Sequence, residues 1–370
     1  MRRRLLELLG TAAVLATLTV LLQLTAVPVS GQAPDTTAWG HPNLEGIWLD
    51  VYSTPLERDP AIGEREFATE EERAARNQAA LARPPVLPSG AYNTVYTSAK
   101  PAGPRTSLVV DPPNGRIPAL TPEQVRRNEI EQEWRAMLLR NTETCRTQAP
   151  QCAGGEYGPP SPRRYETTPY YNTRGRMNRH DGPEDQSLGD RCMSGRTPDL
   201  NGFRRIVQGE NSVAIAYDTG QGQGFQRMVN LGGSHPPGHI RLRHGDSRGR
   251  WEGDTLVIET TNFSHKFPYQ GSAENRRLVE RYTRVDEETL DYEMTIEDPT
   301  VWVAPWTLRQ ELKRQSDQQN RIYYEPRCHE GNYGLPALLL GYRLDDQAFA
   351  EGRGPDPASF SIYDADRLQR

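Results

Sequence analysis

No Gly-x-Ser-x-Gly elbow, no Gly-x-Gly-x-x-Gly dinucleotide fingerprint and no calcium-loop pattern occurs in this chain. Their absence argues against the common hydrolases, Rossmann dehydrogenases and EF-hand sensors, though not against every enzyme. Gly220, Gly222 and Gly224 lie close together, but no helix pattern and no Walker lysine follow, so they make no phosphate cradle. The four cysteines show no Cys-x2-Cys spacing, which argues against zinc. No basic stripe interleaved with aromatics is present, and the net charge is −5. Nucleic acid and anionic membrane surfaces are therefore poor partners. No metal and no cofactor is expected.

What is present points to a loop-rich β protein. Hydrophobic residues make up 35%, with 32 glycines and 30 prolines in 370 residues, a mixture unlike that of a helical bundle. Residues 1–33 read as a signal peptide. Arg2, Arg3 and Arg4 are basic, an apolar run extends from Leu8 to about Val27, and Gly31-Gln32-Ala33 offers small residues for cleavage. An uncleaved anchor is the rival reading, because the run approaches a membrane-spanning length. Cleavage would remove three arginines and Glu7, taking the net charge from −5 to about −7. The expected location is periplasmic or secreted, with no membrane partner after cleavage. In such a compartment Cys145, Cys152, Cys192 and Cys328 favour disulfides. Three connectivities are open. Pairing Cys145 with Cys152 closes a short loop, and pairing Cys192 with Cys328 ties the start of the β region to its end. That long bridge would stabilise by roughly 4–5 kcal/mol.

The second half organises around Arg250–Phe263. It reads as strand, turn at Glu252-Gly253-Asp254, and strand. Period-2 patterning continues on both sides. Leu290, Tyr292, Met294 and Ile296 alternate with Asp291, Glu293, Thr295 and Glu297, and Trp306, Leu308 and Leu312 alternate with polar residues. Further strands are expected at 203–208, 212–217, 225–231, 240–243, 278–285 and 322–328. Eight to ten such strands in order imply an antiparallel up-and-down barrel or curled meander over residues 201–345, followed by a loose tail over 346–370. Ahead of it, residues 34–200 hold a first strand at Gly46-x-Trp48, two helices and a long disulfide-stapled loop. One helix starts at Thr69-Glu70-Glu71-Glu72 and runs to about Arg83. The other starts at Thr121-Pro122-Glu123, and its stripe of Val125, Ile130, Trp134, Met137 and Leu138 is expected to pack on the barrel.

Candidate chemistry gathers at histidines. Cys328-His329-Glu330-Gly331-Asn332-Tyr333 is the densest polar cluster, and a histidine beside a carboxylate can move protons near neutral pH. His265 ends the central hairpin, where a barrel mouth would gather ligand contacts. The catalytic candidates are His329, Glu330 and His265. Asn262, His235, His239 and Tyr333 are the ligand-binding candidates. The two prolines inside His235-Pro-Pro-Gly-His239 forbid a regular helix, so this is not a zincin-type pair.

Several stretches jointly resemble a large family of exported bacterial proteins of unknown function. They are Asn43-Leu44-Glu45-Gly46-Ile47-Trp48, Thr106–Pro113, Asp190-Arg191-Cys192, Arg250–Val257 and Cys328–Tyr333. The resemblance implies export and one shared fold, and it brings no activity. A weaker likeness to lipocalin-like barrels rests on Gly46-x-Trp48 and the meander. The expectation is an exported lipocalin-like protein that binds a small, largely apolar ligand. The alternatives are a lyase, isomerase or hydrolase working at the barrel mouth, and an envelope interaction protein.

Overall fold

The computed structural model describes residues 36–82, 100–139, 183, 191–192, 195, 197–200, 202–220, 223–315 and 333–354. The signal segment, most of the 141–200 loop, the expected strand at 322–328 and the tail beyond residue 354 lie outside them. The chain falls into two compact units, Met1–Asn43 and Leu44–Arg370. In the first, residues 36–43 form a turn in which the Thr37 N–H donates to His41 O at 2.8 Å.

The second unit is built on strands β1 (Gly46–Asp50), β2 (Val109–Asp111), β3 (Phe203–Gln208), β4 (Ser212–Gly220), β5 (Gln223–Leu231), β6 (Asp246–Glu252), β7 (Thr255–Thr261), β8 (Arg277–Arg284), β9 (Thr289–Glu297) and β10 (Trp306–Arg314). The sheet order is β1-β3-β4-β5-β6-β7-β8-β9-β10-β2, and β1 pairs with β10 as well as β3. The double pairing of β1 closes nine strands into a barrel, so the expected barrel is there. It is mixed rather than wholly antiparallel, because β5 and β6 run parallel, with Val229 opposite Ser247 and Leu231 opposite Gly249. Nor is it up-and-down at that point. Residues 232–245 carry the chain back along the barrel before β6 begins. The strand expected at 240–243 is instead part of this return, and its one ladder-type pairing is the bridge between Leu242 and Phe263. Pro236 and Pro237 lack the N–H that a central strand would need, which is why the segment runs as a crossover.

The turn at Gly253 forms as read, with φ +58° in the left-handed region that a hairpin favours. Gly46 has φ +143°, and two residues on, Trp48 is buried and donates its Nε1–H to Leu44 O at 2.9 Å. The turns at 209–211, 253–254 and 285–288 are short and share one end of the barrel. The connections at 262–276 and 298–305 are long and share the other, where residues 197–200 also approach β3.

Inward positions alternate along every strand. Trp48, Ile206, Val213, Ile215, Val229, Leu256, Ile258, Leu278, Leu290, Met294, Ile296, Trp306, Leu308 and Leu312 belong to one buried cluster. The outer face carries a charged ladder: Arg281 to Glu252, Arg277 to Glu259 and Glu297, and Arg309 to Asp291. Such a face differs from the apolar band of a membrane barrel. Among the described residues, no helix is long and apolar enough to cross a membrane.

Helix α1 spans Glu70–Leu81, where Thr69 and Glu72 form a reciprocal capping box. Helix α2 spans Pro122–Leu139, and it is anchored through Thr121, whose N–H and hydroxyl donate to Val301 O and Thr300 O at 2.9 Å. The stripe expected to face the barrel does not do so as a unit. Val125 and Ile130 are exposed, whereas Gln124 and Trp134 are buried. Gln124, Asn128, Glu131 and Trp134 follow helical spacing, and the Gln124 amide donates to Asn128 Oδ1 at 2.8 Å. A partly polar face is thus turned inward, which an apolar-periodicity reading passes over. Residues 334–350, read as barrel end and loose tail, form helix α3 (Gly334–Ala350).

Candidate functional site

The barrel's inner face places charge in the middle of its apolar lining. Arg204 on β3, Arg227 on β5 and Glu280 on β8 all occupy inward positions and are buried. Nη2 of Arg227 donates to Glu280 Oε1 at 2.8 Å, and Nη1 lies 2.6 Å from Glu280 Oε2 in an ion contact not aligned as a hydrogen bond. Glu280 Oε1 also accepts from the hydroxyls of Tyr292 at 2.9 Å and Tyr282 at 3.5 Å. Arg204 has neutral partners. Its Nη2 donates to Asp199 O at 2.8 Å and to Gln310 Oε1 at 3.4 Å, and its guanidinium lies over the Tyr292 ring, 4.2 Å from the centroid. Arg204 and Arg227 also stand 5.8 and 5.6 Å from the Tyr217 ring centre. Burial pushes the hydroxyls of Tyr217, Tyr282 and Tyr292 above the ordinary tyrosine range, so all three stay neutral.

Towards the long-loop end, aromatic rings stack over this centre. Phe225 lies on Tyr217 with centroids 4.5 Å apart and on His244 at 4.2 Å. The Nδ1 of His244 is 3.2 Å from the Thr197 hydroxyl. Burial, followed by the cations of Arg243, Arg227 and Arg276, lowers the His244 imidazole from its usual 6.5 to about 3. It is therefore a neutral ring at physiological pH.

A second feature opens where β10 changes partner. Its Thr307 and Leu308 pair with β2, and Leu312, Lys313 and Arg314 pair with β1, so residues 309–311 lie at a seam between the two short strands. A cleft of about 310 Å³ lies at this seam. Tyr52, Phe67, Leu108 and Val285 supply apolar wall, and Arg105, Thr289, Asp291, Arg309 and Glu311 supply polar rim. Gln310 lines it too, and the same side chain donates to Leu200 O at 3.1 Å and accepts from Arg204. The cleft and the buried centre therefore share a residue.

The residues singled out from sequence are scattered. His329, Glu330, Cys328, Cys145 and Cys152 lie outside the described residues. Cys192 lies among the described residues, with φ +57°, and no disulfide pairing is assigned. His265 and His239 are exposed, as is Tyr333. Asn262 has φ +59°, and its amide donates to the carbonyls of Pro236, Ile240 and Pro237 at 3.0, 3.1 and 3.3 Å. It staples the crossover to the end of β7, a positioning role. Half-buried His235 is 2.7 Å from Asp246 Oδ2, which also accepts from Nε of Arg248 at 2.7 Å. Burial opposes ionisation of Asp246, but the hydrogen bonds from Arg248 and His235 outweigh it and hold the carboxyl below the usual range. Among the described residues, no group of three metal-ligating side chains comes together.

Arg204, Arg227, Glu280, Gln310 and His244 were not singled out from sequence as site residues. A signal existed: Glu280 stands between Leu278 and Tyr282, and Arg227 between Phe225 and Val229, in phase with the apolar residues rather than the polar ones. No protein-family model, no curated protein and no solved structure matches the chain.

Proposed function

We propose that this chain is an exported binding protein that holds one small, largely apolar ligand in the seam cleft beside β10. The observation that carries the reading is the cleft itself: about 310 Å³, walled by Tyr52, Phe67, Leu108 and Val285, with polar side chains around its rim. That volume and that mixture suit a small molecule with an apolar body and a polar edge. The basic n-region, apolar run and small cleavage residues of segment 1–33 support export, and the cysteines support disulfides in that compartment. Large side chains fill the barrel core, among them Trp48, Trp306, Tyr282 and Tyr292, which favours the wall over the interior as the binding place.

The test is a titration of the mature chain with 1-anilinonaphthalene-8-sulfonate as the apolar probe, alongside mass spectrometry of small molecules that co-purify. Val285 is largely exposed, so Val285→Trp fills the cleft without disturbing the core. The variant is expected to lose about tenfold in probe affinity, some 1.4 kcal/mol. Equal affinities for wild type and variant would remove the cleft as the site.

A further inference from the structure

The barrel centre contains more positive than negative charge. The charge of Glu280 faces Arg227, and its Oε1 accepts from Arg227 and from the hydroxyls of Tyr292 and Tyr282. The other buried carboxylate nearby, Asp50, is held by Lys100 at 2.6 Å. Arg204 is left with a backbone carbonyl, an amide oxygen and two aromatic rings as direct partners, and the carboxylates of Glu280 and Asp50 act on it only from further off. Its residue exposure is 1%, and its Nη1 has no hydrogen-bond partner; the Nε of Arg227 has none either. A guanidinium does not shed its proton in a protein. Tyr217, Tyr282 and Tyr292 stay neutral, so none of them supplies the missing charge. An uncompensated charge buried among apolar side chains costs several kcal/mol, and hydrogen bonds from neutral groups offset only part of that.

We propose that the barrel centre binds a compact monovalent anion, chloride, at the Nη1 of Arg204. Compactness follows from the packing, because the rings of Trp48, Tyr217 and Tyr292 are buried around this level of the barrel and a small ion displaces them least. The charge follows from the count of three cations, Arg204, Arg227 and Lys100, against two carboxylates, Glu280 and Asp50. The route follows from Gln310, which lines the seam cleft and contacts Arg204 directly, so one side chain separates the cation from the cleft. The anion site stands on this charge balance and does not depend on the ligand proposed for the cleft.

Thermal unfolding of the mature chain tests it, with sodium chloride or bromide replacing sodium gluconate at constant ionic strength. The expected result is a saturable rise in Tm of several degrees in either halide and none in gluconate, as mass action gives for an anion about a hundredfold above its Kd. Arg204→Met removes the unpaired cation, and its Tm should no longer respond to halide. Crystals of the wild-type chain soaked in bromide should show an anomalous peak within hydrogen-bond distance of Arg204 Nη1, a measurement that stands even if the variant does not fold. Equal Tm in halide and gluconate would overturn the proposal. So would an undiminished halide response in Arg204→Met, or bromide found at surface arginines alone.

Discussion

Strand β8 carries the same chemistry on its two faces. Outside, Arg277 meets Glu259 at 3.0 Å and Glu297 at 3.4 Å, with its side chain 45% exposed. Inside, three residues further on, Glu280 meets Arg227 at 2.6 Å, with the two side chains 1% and 3% exposed. Distance alone does not distinguish the pairs. The outer one exchanges water for a partner at little cost and with little gain, because water and salt screen it. The inner one has lost its water altogether, so each ion depends on the other and on Tyr292 and Tyr282. Ion pairs of like separation therefore do different things: the ladder keeps the outer wall wet, and the centre makes the barrel interior intolerant of change.

The comparison is broken most sharply by removing one inner charge. Glu280→Gln leaves Arg227 buried without its counter-ion and is expected to cost about 3–5 kcal/mol, read from the urea midpoint. A loss below about 1 kcal/mol would put the inner pair in the same class as the outer one. Next in size is a pH effect at the rim of the centre. His244 is held neutral, with its imidazole at about 3 against 6.5 when unfolded. Between those values the unfolded chain binds a proton that the folded chain does not, so stability is full above pH 6.5 and falls as pH drops towards 3. The slope from this residue is up to about 1.4 kcal/mol per pH unit. His244→Phe, which keeps the stack on Phe225, should flatten that part of a Tm–pH profile; an unchanged slope would show that the ring is not what titrates. The smallest effect belongs to the ladder. Arg277→Ala should cost at most about 1 kcal/mol, and half-molar salt should erase the difference between variant and wild type.

Much of the barrel is legible in the sequence. Leu290–Glu297 and Trp306–Lys313 alternate so regularly that strand and face follow from period 2 alone. The capping box at Thr69 and Glu72 is likewise local chemistry. The parallel β5–β6 step was not readable, because it depends on where residues 232–245 travel, and a stretch rich in Gly and Pro specifies only that a ladder stops. The polar face of α2 is not legible for a related reason: the Gln124 amide donates to Asn128, and such pairing leaves no trace in hydrophobic periodicity. Histidines drew attention as the residue type that titrates near neutrality, yet His265 and His239 are exposed. The charge of interest sat on arginines and a glutamate that interrupt apolar phases.

By itself the sequence determined the β class, the place of most strands, the turn at Gly253 and the inward phase of the most regular strands, because these rest on contacts between near neighbours along the chain. Tertiary structure alone decided the rest. Closure depends on β1 reaching β3 and β10 across more than 150 and 250 residues of chain respectively. The meeting of Arg204, Arg227 and Glu280 depends on three strands bending round to one interior. The seam exists because β2 and β1 share one edge of β10. Burial converts an ordinary arginine and glutamate into an interacting centre, and burial is a property of the closed barrel, not of any segment of the chain.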